Sequence, residues 1–268
     1  MRLLGLAIVF CVTALPAWSD ARVTVLMDAL RLPQLVEALR AEGISDADDL
    51  NADMLSGQGG AFWQQQVSRL YDTGAMKDTF HRALEEGLDD AALDVAVQFF
   101  DSTRGQRITE LEIAARGAMA DEAVEEAAAA AFAALPEGDD HARLVSEFIT
   151  LNDLLELNVA LTMSSSYQFS RGLADGGLLE MSEEQILSEV WESEEGLRSD
   201  AEVWLRGYFF LAQQPLDLAD LEAYVAFAES SAGADLNAAL FAGYEAIFTD
   251  IAYGLGRAVA MNAAGNDI

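Results

Sequence analysis

The chain has 268 residues, 46 acidic against 15 basic, and a formal net charge of −31 at pH 7. This charge argues against nucleic acid as a partner, because phosphate binding needs concentrated lysine and arginine. At 52% hydrophobic residues, the chain is too apolar for a disordered acidic tail and can form a sizeable core.

The N-terminus has the pattern of a secretory signal peptide. One basic residue precedes an apolar run over residues 3–12, and the small residues Ala17 and Ser19 stand at positions −3 and −1 of a cleavage site. The run is shorter than the ~20 apolar residues that a membrane-spanning helix needs. We therefore expect residues 1–19 to be a signal peptide, cleaved between Ser19 and Asp20, and the product to be periplasmic.

The only cysteine lies in this N-terminal segment. Cys11 follows Phe10, whereas a lipoprotein site requires a small residue there, so we do not expect a lipid anchor. Cleavage would leave a chain without disulfides, whose stability depends on packing. No later segment reaches transmembrane length without charges, so the mature protein is predicted to be soluble.

The apolar residues follow a helical period nearly everywhere, and the chain is predicted to be all-α. Pro33 is expected in the first turn of a short helix, where its missing N–H costs nothing. Asp89–Phe100 has an acidic first turn and an apolar face, and Ser182–Gln185 has the form of a capping box.

Two segments resemble each other at a spacing of 128 residues. Leu93–Ile108 aligns without a gap with Leu221–Leu236, and five of the 16 pairs are identical. The pairs that characterise the repeat are Phe99 with Phe227, Ser102 with Ser230, Gly105 with Gly233 and, upstream, Trp63 with Trp191. A spacing of 119 residues sets Leu32–Glu37 against Leu151–Glu156.

These matches predict a helical bundle built from two tandem, divergent copies of one unit of about six helices. The copies would cover residues 21–120 and 141–262, with a tail at 263–268. The Ala-rich residues 118–135 read as a long helix, and Pro136–Asp140 as the turn that ends it. Residues 121–140 would thus link the copies, in one bundle or in two domains.

The repeated motif has a simple mechanical interpretation. Ser102 and Ser230 would cap the next helix, which is worth ~1 kcal/mol. Gly105 and Gly233 would lie in the first turn of that helix at a cost of about 1 kcal/mol relative to Ala. We expect another helix to cross closely at each glycine.

The first copy of this motif resembles the exported bacterial family known as domain of unknown function 2059 (DUF2059). Asp89–Phe100 corresponds to the family's acidic helix start and aromatic end, Ser102 to its cap, Gly105 to its glycine and Arg107 to its basic position. Thr103 replaces the family's proline. The resemblance implies an all-helical periplasmic domain and brings no activity, cofactor or catalytic residue.

The second copy departs further from the family pattern. Ser231 stands where the family has proline, and Asp235 stands where it has a basic residue.

Two segments contain residue types that bind metal ions. His81 and Glu85 are four residues apart and could face one way on a helix, but two ligands do not make a zinc site. His141 follows two aspartates and is expected in a helix-entry turn. Asp46–Asp53 fails the EF-hand pattern in both registers and is expected to be a solvated acidic loop, with weak association of Ca²⁺ or Mg²⁺ as the alternative. We nominate no catalytic, cofactor-binding or metal-binding residue.

Three functions remain open on the sequence. The first is a non-catalytic protein that binds an envelope partner or supports the envelope. The second is a carrier of an apolar small molecule or lipid, with Trp191, Trp204 and Phe209 near a cavity, although aromatics at helical spacing more often form core. The third is a hydrolase built on two carboxylates about 5–10 Å apart.

Overall fold

A computed structural model describes residues 16–266, and these form helices joined by short turns, without a strand. The helices are α1 (Pro16–Ala29), α2 (Leu32–Leu55), α3 (Gly60–Leu70), α4 (Thr73–Gly87), α5 (Asp90–Phe100), α6 (Thr103–Ala118), α7 (Glu122–Ala133), α8 (Asp140–Leu151), α9 (Leu154–Asp175), α10 (Glu183–Glu192), α11 (Glu194–Gln213), α12 (Leu218–Glu229) and α13 (Ser231–Asn266). The all-α prediction is confirmed. Most of the signal-peptide prediction, residues 1–15, lies outside the described residues.

Several predicted helix starts are confirmed. Pro33 lies in the first turn of α2, which at 24 residues is long rather than short. Asp89 caps α5 by accepting a hydrogen bond from the amide of Ala92 at 2.8 Å. Ser182 and Gln185 form the expected capping box at the start of α10.

The acidic segment Asp46–Asp53 was predicted to be a loop. That prediction is wrong, because the segment is part of helix α2. Ala47 and Leu55 are buried and Leu50 packs against the core, so the apolar face of α2 continues through this segment at helical spacing. The acidic side chains occupy the opposite, solvent-facing side. The segment is helical because burial of these apolar residues outweighs the preference of the aspartates between them for turns.

The Ala-rich residues 118–135 do not form one long helix either. α6 ends at Ala118, and Asp121 caps α7 by accepting a hydrogen bond from the amide of Ala123 at 3.0 Å. A turn with Gly138 at φ 82° follows α7, as predicted. At the C-terminus α13 continues to Asn266, so the described part of the predicted tail is helical.

The helix order on the two sides of α7 is similar. Arg31 and Asp153, both left-handed with φ near 50°, join α1 to α2 and α8 to α9. Ser102 joins α5 to α6, and Ser230 joins α12 to α13. Arg31 and Asp153 are 122 residues apart, not 119. The predicted alignment of Leu32 with Leu151 therefore does not join equivalent positions, because Leu32 begins α2 and Leu151 ends α8. The duplication itself stays a prediction.

The two Ser-Gly motifs have the same local geometry. Each serine hydroxyl donates to a phenylalanine carbonyl at 2.6 Å and accepts from the glycine amide at 3.1 Å. A Cβ on Gly105 would collide with Phe99 and Phe100 at the end of the preceding helix. The close approach expected at these glycines therefore comes from the preceding helix, not from a crossing one.

The two motifs also meet in the core. Phe99 stacks on Phe227 with ring centroids 4.4 Å apart, and Phe100 contacts Phe227 edge-on at 5.2 Å. By contrast, Trp63 is 1% exposed near the start of α3, and Trp191 is 63% exposed near the end of α10. The structure does not bring these two tryptophans into equivalent positions.

Candidate ligand cavity

A cavity of about 620 Å³ is lined by residues of α6, α7, α8, α9, α11, α12 and α13. Most of its wall is apolar, and the larger apolar contributors are Phe148, Trp204, Phe209, Leu240, Phe241 and Phe248. A smaller cavity of about 160 Å³ shares part of this lining, including Glu112, Arg116 and three tyrosines. Together the two spaces have an apolar part and a polar end.

Glu112 on α6 is the central polar group of this end. The Tyr224 hydroxyl donates a hydrogen bond to Glu112 Oε1 at 3.0 Å, and the Tyr208 hydroxyl donates to the Glu112 backbone carbonyl at 3.2 Å. Burial raises the pKa of the Glu112 carboxyl to about 7, against the opposing effect of the Tyr224 hydrogen bond. Near neutral pH this carboxyl therefore exists in both protonation states.

Arg116 lies one helical turn after Glu112 and lines both cavities. Its guanidinium donates to both carboxyl oxygens of Glu42 on α2, from Nε at 3.0 Å and from Nη2 at 2.7 Å. Such a bidentate pair fixes the guanidinium and balances its charge. The negative charge of an ionised Glu112 is therefore not balanced by Arg116.

Tyr208, Tyr224 and Tyr244 come from three different helices and surround this end of the cavity. Burial is the largest cause that raises the pKa of each phenol, and the charge of Glu112 also contributes to each shift. All three are therefore neutral at physiological pH and present aromatic faces and hydroxyl groups.

Each of these three rings has an aromatic neighbour in the lining. Trp204 stacks on Tyr208 at 4.9 Å, Phe148 lies 4.5 Å from Tyr224, and Phe248 stacks on Tyr244 at 6.1 Å. Aromatic pairs at these separations have favourable contacts beyond the apolar area that they bury.

The exposed lining residues mark the mouth of the cavity. Thr162 on α9 and Asp200 on α11 are exposed, and Glu125 on α7 is partly exposed. The mouth therefore carries two carboxylates. Among the described residues that line the larger cavity, Arg116 is the only basic one.

Two of the three predicted aromatic residues line this cavity. Trp204 and Phe209 do so, whereas Trp191 is largely exposed and lies outside it. His141 lies in the first turn of α8, as predicted, with Nε2 3.2 Å from the Leu216 carbonyl oxygen. No group of three or more His, Cys, Asp or Glu side chains within residues 16–266 could hold a metal ion.

Glu112 and Arg116 were not among the residues predicted from the sequence. Both lie on the face of α6 that carries the buried Ile108 and Ala115, at positions where helical spacing predicts apolar side chains. Two charged residues on an otherwise apolar stripe were the signal that could have found them. The tyrosines gave no comparable signal, because aromatic residues at helical spacing usually form core.

Comparison with known proteins gives one match. Residues 74–134 match the family described as uncharacterized protein conserved in bacteria (DUF2059). No curated protein and no solved structure matches the chain. Within the described residues, no helix is long and apolar enough to cross a membrane.

The matched region runs from α4 to the end of α7 and includes Asp89–Phe100, Ser102 and Gly105, on which the sequence resemblance rests. It also includes Glu112 and Arg116. The predicted relation to DUF2059 is confirmed, and residues 74–134 of this chain are the segment that carries it.

Proposed function

We propose that the protein is a non-catalytic binding protein that carries a small amphipathic molecule in the larger cavity. The observation that supports this most is the cavity of about 620 Å³ with aromatic walls and Glu112 at one end. Pockets for small ligands are typically ~300–1,000 Å³, mostly apolar, with a few placed polar groups. An apolar ligand body would contact Phe241 and Phe248, and its polar group would face Glu112.

This proposal selects the carrier among the three functions that the sequence left open. The carboxylate-based hydrolase that the sequence left open needs two carboxylates with separate acid and base roles. The carboxylates Asp200 and Glu125 lie at the mouth of the cavity, whereas the groups next to Glu112 are neutral phenols and a guanidinium balanced by Glu42. This arrangement is suited to holding a polar group. The comparisons indicate no enzymatic family. We place this binding function in the periplasm, as the signal-peptide pattern predicts.

The test is binding of a neutral fluorescent probe, N-phenyl-1-naphthylamine, to the full chain. We expect one saturable site. Ala201→Trp adds a large side chain to the cavity lining and should weaken binding at least tenfold, because it takes up ligand space. Val203→Trp is the matched control: the same helix carries it, but Val203 is 55% exposed and does not line the cavity. Its binding should stay within twofold of the original.

Circular dichroism and thermal unfolding would verify that both variants fold. Equal binding by the folded Ala201→Trp variant and the original chain would refute the cavity as the binding site. Absence of saturable binding by the original chain would also count against the carrier function.

A further inference from the structure

We propose that the ligand is an amphipathic organic cation, whose ammonium group binds against the Glu112 carboxyl between the rings of Tyr208, Tyr224 and Tyr244. This inference rests on the proposed carrier function and specifies its ligand class. Three independent properties of the cavity support it: the unused capacity of a carboxyl group, the sign of the surrounding charge and the aromatic walls.

The carboxyl of Glu112 has room for a further partner. Among the described residues, Tyr224 is the one side chain that donates to it, and the bond goes to Oε1. From the described part of the chain, Oε2 therefore receives no side-chain hydrogen bond, although a carboxylate has about four acceptor sites. Glu112 lines both cavities, so a ligand in either space reaches this group.

The charges around the cavity favour a cation over an anion. Arg116 is already held by both oxygens of Glu42, which leaves Glu112 without a balancing charge. Asp200 and Glu125 add negative charge near the mouth. The net charge of −31 draws cations to the surface and repels carboxylate or phosphate ligands. A fatty acid would bring its carboxylate into this field next to Glu112.

The aromatic rings of the cavity wall are a further group that could bind a cation, beside the Glu112 carboxyl. A cation within ~6 Å of a ring centroid is attracted by the negative face of the ring, and cages of such rings recognise quaternary ammonium groups. Tyr208 backed by Trp204 and Tyr224 backed by Phe148 present rings from separate helices beside Glu112. The remaining Phe residues of the cavity would hold the alkyl or aryl part of the ligand.

Calorimetric titration with three matched probes tests the ligand class. We would titrate octyltrimethylammonium, 1-octanol and octanoate into the full chain at pH 8 in 0.15 M NaCl. The cation should bind one site at least tenfold more tightly than octanol, and octanoate should bind most weakly. Glu112→Gln should lower the affinity for the cation at least tenfold and change the affinity for octanol less than twofold. Glu110→Gln, on the exposed side of α6, is the matched control and should change neither.

The pH dependence gives an independent readout. Glu112 must be ionised to bind the cation, and its pKa is raised to about 7 by burial. The titratable groups near the Glu112 carboxyl are Tyr208 on α11, Tyr224 on α12, Tyr244 on α13 and, on α6, Arg116 paired with Glu42. The phenols and the guanidinium keep their protons below pH 8, since the pKa of each is raised. Cation affinity should therefore fall by up to tenfold per pH unit below about 7, and Glu112→Gln should flatten this profile.

The outcomes separate this inference from the carrier function. If octanol binds as tightly as the cation, and Ala201→Trp blocks both, the cavity is a carrier site but the cation inference is wrong. If cation binding persists in Glu112→Gln with several sites per chain, the cation binds the acidic surface and the inference is again wrong. If neither the three probes nor the fluorescent probe binds, both proposals fail.

Discussion

Glu112 is a carboxyl group in a mostly apolar cavity, and its free energy there depends on pH. Its pKa is raised to about 7, well above the ordinary value of 4.5. Between these two pH values the folded chain holds a proton that the unfolded chain has released. The contribution of Glu112 to the free energy of unfolding therefore falls as pH rises through this range and is lowest above pH 7.

Glu112→Gln should consequently stabilise the protein at high pH. We expect the variant to unfold with a free energy about 1–3 kcal/mol higher than the original at pH 8, since one pKa unit corresponds to about 1.4 kcal/mol. Near pH 4 the carboxyl is protonated in both states, so the difference should nearly vanish. Urea unfolding at both pH values measures this. An equal effect at pH 4 and pH 8 would show that the ionisation of Glu112 is not its cause.

The same variant separates stability from binding. A group that destabilises the folded chain when ionised is common at functional sites, where stability is lost for the sake of function. Glu112→Gln is thus expected to gain stability at pH 8 and to lose cation affinity at the same pH. A purely structural residue would not show opposite changes in these two measurements.

At the scale of helices, the longest one depends on a close crossing. α13 packs against α9 where Gly256 and Gly172 face each other. A Cβ on Gly256 would collide with the Phe169 carbonyl oxygen, and a Cβ on Gly172 would collide with that of Tyr253. The missing side chains let the two backbones approach, and this contact fixes α13 along one wall of the cavity.

Gly256→Ala should therefore destabilise the protein, by about 1–3 kcal/mol, because overpacking forces a backbone shift. Gly117→Ala is the matched control. Gly117 is also helical, and nothing lies within 4 Å of a Cβ placed there, so the substitution should stabilise by up to about 1 kcal/mol. Thermal or urea unfolding of both variants gives the comparison. Stabilisation by Gly256→Ala would mean that the helices do not cross this closely.

For the whole molecule, the excess of acidic residues dominates the electrostatics. Many of the few arginines are already paired, as Arg116 is with Glu42, Arg198 with Glu156 and Arg22 with Asp90. The pairs of Arg198 and Arg22 are more exposed, and exposed pairs contribute at most about 1 kcal/mol each. Repulsion among the remaining carboxylates opposes the compact state.

Added salt should accordingly stabilise the fold. The Debye length falls from ~30 Å at 0.01 M to a few Å near 1 M, which screens the repulsion. We expect the melting temperature at pH 7.5 to rise between 0.01 and 0.5 M NaCl. At pH 4.5, where many carboxyl groups take up protons, the rise should be smaller. A flat or falling melting temperature at pH 7.5 would rule out repulsion as the dominant electrostatic effect.

Local sequence patterns were enough to predict much of the fold. The capping residues Asp89, Ser102 and Ser182 each accept from an amide three residues later, so their role can be predicted from the local sequence. The segment Asp46–Asp53 was misread because its helical state depends on the burial of Ala47 and Leu55 against distant residues. The exposure of Trp191 could not be predicted either, because helical spacing does not show which face of a helix packs against the core.

The sequence by itself determined the all-helical class, the acidic surface and the paired Ser-Gly motifs, because these follow from periodicity, composition and contacts within one turn. Only the tertiary structure decided that Glu112, Tyr208 and Tyr224 meet at one end of a cavity. These residues come from α6, α11 and α12, up to 112 positions apart in the chain. Their chemistry arises from burial and mutual approach, which depend on how the helices pack.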